Sequence, residues 1–307
     1  MASNDGPPRL YVSLALLPAL VVAFAAYWYC CWLVVQGYPP LRIASLELAA
    51  VAVVALPAGV AVRRWTRQQH ELHNDGLRKL PEPLDPRARD WIASALYGAL
   101  VIPLSIGTLG VALTRVPIAV VAIAAFGGRA WRLVLVRRLP GLRSLTTIAL
   151  SAAGLVVLAT GPDATDTTVI ALLLLAPMVR AAGGRAWDAI SPPGRHKVAA
   201  IGWLTAAIVL QIAGLVRGEI FGDAPLRSTL AIAAPLCVLA GLALAAIARP
   251  AHRGVIGLSS AGTLLAVVLI GETWCGQTGA TSTWIAAALV GIAILVEPPD
   301  LGDLKRL

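Results

Sequence analysis

Apolar residues in this chain come in long runs separated by short polar punctuation. Ten runs can be marked: approximately Leu10–Val35, Leu41–Val62, Trp91–Leu113, Pro117–Val136, Leu145–Thr160, Thr167–Trp187, Val198–Val216, Ser228–Ala248, Val255–Gly271 and Ser282–Val296. Between them stand breakers such as Tyr38-Pro39-Pro40, Arg115-Val116-Pro117, Pro140-Gly141, Gly161-Pro162, Pro192-Pro193-Gly194 and Pro298-Pro299, where helices are expected to stop. A helix that crosses a bilayer needs about 20 mostly apolar residues, so the pattern predicts ten transmembrane helices, with the fifth and tenth near the short limit. The first run follows a polar MASNDGPPRL and is too long for the apolar core of a cleaved signal peptide, so it reads as a retained first helix. The one polar loop of any size runs from Arg63 to Asp90.

Composition sharpens this. Of 307 residues, 58% are hydrophobic and 13% charged, with a mean hydropathy of +0.79. A soluble domain carries about 25% charged residues. A water-soluble globule, a disordered chain, collagen and a disulfide scaffold are all excluded by these figures. The ten spans take up about 200 residues, which leaves no room for a large soluble domain. The expected fold class is an all-α integral membrane protein.

The net charge of +9 would suggest nucleic acid in a soluble protein, but here it belongs to topology. With the N-terminus inside, about 17 Lys and Arg fall in inner loops, against Arg42, Arg115, Arg217 and Arg227 outside. That asymmetry predicts both termini in the cytoplasm and no nucleic-acid partner. Five spans followed by five puts the halves in opposite orientation, as in an inverted repeat, with 1–160 as the first five-helix unit (including the cytoplasmic loop 63–90) and 161–307 as the second. The peptide Gly-Gly-Arg-Ala-Trp occurs at Gly127–Trp131 and Gly183–Trp187, in helices that are not equivalent in such a repeat, and is read as chance.

The segment ALVIPLSIGTLGVALTRVPIAVVAI with its Gly127 and Arg137-Arg138, the segment SLTTIALSAAGLVVLA, and LIGETW at the end of the ninth run resemble the drug/metabolite transporter superfamily with EamA-type repeats. The nearest likeness is to its amino-acid exporter branch, the threonine/homoserine exporters. The most specific element is the Gly271-Glu272-Thr273 corner. The resemblance implies ten helices in a five-plus-five inverted repeat and export of a small metabolite by alternating access. Members of that branch commonly carry acidic residues and prolines midway through the fourth and ninth helices. Those places hold Ala124, Gly128, Leu258 and Ser259 here, and Glu47 stands where the second helix often has an arginine.

An ionisable group inside a span costs roughly 2.5–3.5 kcal/mol on insertion scales, so each needs a partner or a wet cavity. Arg180, mid-way along the sixth run, is the leading candidate: a guanidinium facing a central cavity could grip a carboxylate with paired hydrogen bonds. Its structural alternatives are an ion pair with Glu47 and a displaced helix boundary. Glu47 could couple transport to protons, or could be a helix–helix partner for Arg42 or another arginine. Tyr27 and Trp28 are candidates for an aromatic cavity wall, while Trp32 reads as interfacial belt. Arg129 and Arg132 lie toward the inner half of the fourth helix; snorkelling explains Arg132 better than Arg129, which is a further substrate-binding candidate. Glu272 reads as a structural residue of the outer corner. His70 and His73 are three apart rather than the four of a zinc-protease helix, and Asp163 and Asp166 lack a second acidic motif. The four cysteines form no C-x-x-C pair. No metal site, cofactor or catalytic residue is expected.

The expected function is a secondary transporter, not an enzyme, exporting a small polar metabolite across the cytoplasmic (inner) membrane, with an amino acid as the leading substrate. A lipid-linked-sugar flippase subunit, a membrane enzyme and a non-transporting scaffold are the alternatives. The expected partners are the bilayer and a carboxylate-bearing small molecule, with a homodimer left open.

Overall fold

A computed structural model describes residues 8–53, 88–136, 141–162, 167–188, 195–220, 233–241 and 253–296. Among these residues every regular element is helical and no strand occurs. The helices are α1 (Pro8–Val35), α2 (residues 40–53), α3 (Ala88–Leu113), α4 in two pieces (Ile118–Gly127 and Arg129–Val136), α5 (Leu142–Thr160), α6 (Thr167–Asp188), α7 (Arg195–Val216), α8 (residues 233–241), α9 (Arg253–Thr273) and α10 (Thr281–Val296). Four of them are long and apolar enough to cross a membrane: α1 from Ala15, α3, α5 and α7 from Val198. Their outward faces stay greasy, with Val22 66% exposed, Leu142 82% and Val216 85%. Helices apolar on the outside as well as the inside belong in lipid, and the protein is membrane-embedded.

Several helix ends have a local reason. Pro117, in extended conformation with φ −54 and ψ 144, opens α4, and Gly141 and Gly161 bracket α5 in extended backbone. α7 ends on Gly218 at φ 74, a left-handed position that a side chain would strain. The N–H of Gly218 bonds the Leu215 carbonyl at 2.9 Å and that of Glu219 bonds the Gly214 carbonyl at 2.9 Å, the pair of bonds of a Schellman cap. Gly276 at φ 64 turns the chain after α9 in the same left-handed region.

Two helices are interrupted in ways the apolar pattern did not show. α3 widens into a π turn over Pro103–Gly107, because Pro103 has no N–H for the ladder; Ser105 returns a bond to the Ile102 carbonyl at 3.1 Å. α4 breaks at Gly128, where Pro177 inside α6 presses so close that a side chain on residue 128 would overlap the proline ring. The break in α4 therefore lies directly on the proline inside α6.

The core lies around the first piece of α4. Ile118, Val120, Val121, Ala122 and Ile123 are all 0% exposed, wrapped by α1, α5, α6, α9 and α10. Apolar side chains gain nothing from leaving lipid, so contact shape and close backbone approach must hold the helices together. Small residues supply the approach. α5 crosses α10 at Gly154, against the Ala286 backbone and Val290, and α3 crosses α7 where Gly98 meets the Gly202 backbone. Ser94, one turn from Gly98, donates its hydroxyl to the Val198 carbonyl, and Ser45 of α2 donates to the Ala207 carbonyl at 2.7 Å.

One feature orders the whole bundle. Gln36 after α1 bonds the Leu113 carbonyl at the end of α3, and Leu41 at the start of α2 bonds Glu219 after α7. Ile118 at the start of α4 bonds Gln277 after α9, and Gly161 after α5 abuts Ser282 of α10. The turns after all five odd-numbered helices thus meet at one end of the molecule.

Several sequence expectations change here. The loop to Asp90 ends in helix from Ala88, and Asp90 is buried at 2% exposure rather than solvated, with Arg89 3.7 Å away. The fifth helix is longer than its apolar run, beginning at Leu142. His70, His73, Asp163 and Asp166, like most of loop 63–90, lie outside the described residues.

Candidate functional site

Two polar places among the described residues are candidates for a site. The first is a buried carboxylate. Glu47 projects from α2 toward α1, where Cys31 lies 3.9 Å from its Oε1 and Tyr27 is a near neighbour. Tyr27 and Cys31 are one helical turn apart, so they share the face that meets α2. Among the described residues no cation pairs with Glu47. Carboxylates inside a span are rare because burying the charge is expensive, and a site offering only O–H and S–H donors suits one that can take up a proton. α8 also meets α1, with Gly241 against the ring of Phe24.

Arg42, weighed as a partner for Glu47, goes elsewhere. Its Nη1 donates to the Glu219 backbone carbonyl at 3.1 Å, and the Glu219 carboxylate accepts from the N–H groups of Leu41 and Arg42 at 3.2 and 3.3 Å. Arg217 adds a contact at 3.9 Å. These two amides open α2 and have no partner within their helix, so the carboxylate both satisfies them and complements the positive end of the helix dipole. The Schellman turn at Gly218 is what swings Glu219 onto this spot.

Arg180 is exposed on α6, and no ion pair joins it to Glu47. Past Pro177 the buried side of α6 passes to Ala181, which leaves its neighbour Arg180 outside. α6 packs on α3 and α4 while α1 packs chiefly on α9, so Arg180 is not brought into a common pocket with Tyr27 and Trp28. Trp28 instead lies against Phe126 of α4, ring centres 6.4 Å apart, at the edge of the aliphatic core. The side chains of Arg129 and Arg132 lie outside the described residues.

The second place is at the end where the turns meet. Glu272 accepts from the indole N–H of Trp284, 12 residues on, and Gly279 packs directly on its carboxylate. Beside this corner, Trp32, Gln36, Arg115, Pro117 and Gln277 line an open recess of about 260 Å³. Sequence reasoning did not single out Gln36, Gln277, Asp90 or Glu219. Their signal is weak because each sits in a loop or helix end, where a polar residue is unremarkable until its contacts are known.

No family model matches the chain, and no curated protein matches it.

Proposed function

We propose that the protein is a secondary transporter of ten transmembrane helices, built as two inverted five-helix units with both termini in the cytoplasm. It exports a small polar, carboxylate-bearing metabolite, an amino acid in the leading case, across the cytoplasmic membrane by alternating access. The single observation that carries this reading is Glu47, a carboxylate set inside an apolar bundle beside Tyr27 and Cys31, with no cation paired to it among the described residues. A structural acid would be expected to have a paired cation; a proton-binding one needs donors and a way out.

Three features support the architecture. The turns after α1, α3, α5, α7 and α9 gather at one end, as alternating spans require, and that end carries Arg42, Arg115 and Arg217, residues of the arginine-poor side. Helix pairing follows the exchange expected of an inverted repeat: α1 lies on α9 and its counterpart α6 lies on α4, while the counterparts α5 and α10 lie on each other. The segments that resemble EamA-type repeats, Leu100–Leu158 and the Gly271-Glu272-Thr273 corner, fall within α3–α5 and at the end of α9.

The test is flux in proteoliposomes loaded with radiolabelled amino acids under an imposed pH gradient. The wild-type protein should show gradient-driven exchange that Glu47→Gln reduces about tenfold or more, with protein yield and melting temperature retained. Strong pH-driven flux in Glu47→Gln would remove this residue from coupling, and no flux for any small metabolite would favour a scaffold.

A further inference from the structure

We propose that the recess between the ends of α1, α3 and α9 binds a small zwitterion, its ammonium group at Gln36 and its oxyanion at Gln277 and Arg115. The site itself stands on geometry and does not need the transport reading; only its assignment to the outer face rests on that reading.

Two glutamines line the recess, and each is anchored to backbone by one end of its amide. Gln36 donates from Nε2 to the Leu113 carbonyl at 3.3 Å. Gln277 accepts at Oε1 from the Ile118 N–H at 3.0 Å. A backbone carbonyl can only accept and a backbone N–H can only donate, so neither amide can be flipped without losing its bond. The amide ends left over on these two lining residues are therefore an acceptor, Oε1, on Gln36 and a donor, Nε2, on Gln277. Arg115, on the turn from α3 to α4, brings a permanent cation whose five N–H donors can serve more than one partner. Trp32 forms an aromatic wall.

One fixed acceptor, one fixed donor and one cation in a recess of about 260 Å³ complement a molecule with an ammonium and an oxyanion a few ångströms apart. The lining comes from both halves of the chain, since the turn after α9 closes over the start of α4. Such a ligand could be a free amino acid or the headgroup of a phosphatidylethanolamine lipid, for the recess lies at the ends of the apolar helices α1 and α3.

The experiment uses the full chain in nanodiscs of phosphatidylcholine, whose quaternary ammonium has no N–H to give Gln36. Calorimetric titration compares L-serine with ethanolamine, which lacks the carboxylate, and with 3-hydroxypropionate, which lacks the amine. Two variants keep the backbone bonds but reverse the recess: Gln36→Lys still donates to Leu113, and Gln277→Glu still accepts from Ile118. Serine should bind, each one-charge analogue should bind about tenfold more weakly or worse, and Gln36→Lys, Gln277→Glu and Arg115→Gln should each weaken serine by about tenfold or more without lowering the melting temperature. If serine gives no heat but native mass spectrometry shows phosphatidylethanolamine retained over phosphatidylcholine, and lost in Gln277→Glu, the zwitterion is the lipid headgroup and the site stands. Serine binding equal to that of ethanolamine, indifference to all three variants, or binding of neither serine nor phosphatidylethanolamine overturns the proposal. Because binding is read without flux, a transport failure leaves this result untouched, and the reverse also holds.

Discussion

The first piece of α4 and the crossing of α3 with α7 are both tightly packed, yet by opposite means. α4 is surrounded: from Ile118 to Ala124 no residue is more than 6% exposed, and β-branched side chains fill every direction. The α3–α7 crossing has almost no side chain at its centre, only Gly98 on the Gly202 backbone and Ser94 reaching the Val198 carbonyl. Lipid tails are as apolar as leucine, so neither region is held by escape from water. A surrounded helix gains from many small dispersion contacts, whereas a flanking pair must bring backbones together and satisfy a hydroxyl. Damage should therefore take different forms: a void in the first region and a forced separation in the second.

The largest expected effect follows from the crossing. Gly98→Leu puts a side chain into the Gly202 backbone, which cannot yield as a flexible side chain would. The cost should be about 3 kcal/mol or more, read as loss of monodisperse protein in detergent. The lipid-facing Leu100→Ala, two residues along and 60% exposed in the wild type, should change little. Equal tolerance of both would dissolve the contrast.

Next comes the surrounded core, where Ile123→Ala should cost about 2–4 kcal/mol through the cavity it leaves. A melting temperature unchanged by Ile123→Ala would mean that α4 is less firmly enclosed than its burial implies.

A smaller effect is expected at the end of the bundle. Glu219→Gln keeps an acceptor for Leu41 and Arg42 but removes the charge at the start of α2, at a cost of about 0.5–1 kcal/mol that salt should diminish. Gly218→Ala strains the turn that delivers Glu219 and should cost about 1 kcal/mol, largely independent of salt. The pair separates charge from placement: the same salt response in both would undo that distinction.

The mildest prediction is chemical. Burial pushes the thiol of Cys275, in the corner after α9, from its ordinary value of 9.0 up to about 11. A raised value leaves the thiol protonated, and unreactive, over a wider range of pH. With Cys30, Cys31 and Cys237 replaced by alanine, maleimide labelling of Cys275 should be slow at pH 8 and rise with pH until about 11. Fast labelling at pH 8 would show that the corner is open to water.

Much of the helix layout was legible in the chain. The runs from Leu10, Trp91, Thr167 and Val198 match α1, α3, α6 and α7 to within a few residues, because a breaker such as Tyr38-Pro39-Pro40 acts locally. The interruptions were not legible. Gly128 reads as one more small residue until Pro177 is found against it, and Pro103 could have bent, broken or, as it does, widened its helix. The candidate site divided likewise. Glu47 stood out by cost alone, as a charge in an apolar run, but Arg42 was a reasonable partner until Glu219 was seen to occupy it. Arg180 stood out for the same reason, and its exposed position depends on a stripe that shifts at Pro177.

Length, hydropathy and the placement of Lys and Arg are properties along a line, and they are enough to make the chain helical and put it in a membrane. They also set where helices begin and end, since caps and breakers act within a turn or two of themselves. Which helix meets which was decided only by the tertiary structure. Water drives no choice of neighbour inside lipid, so pairing depends on shape at single positions: Gly98 against Gly202, Gly154 against Ala286, Gly128 against Pro177. The company of each polar group followed from those pairings, with Glu47 set beside Tyr27 and Cys31, and Glu219, carried round by a left-handed glycine, set on the first amides of α2. A carboxylate's cost can be read from the run it interrupts, but its partners come from elements far along the chain, and only packing brings them within reach.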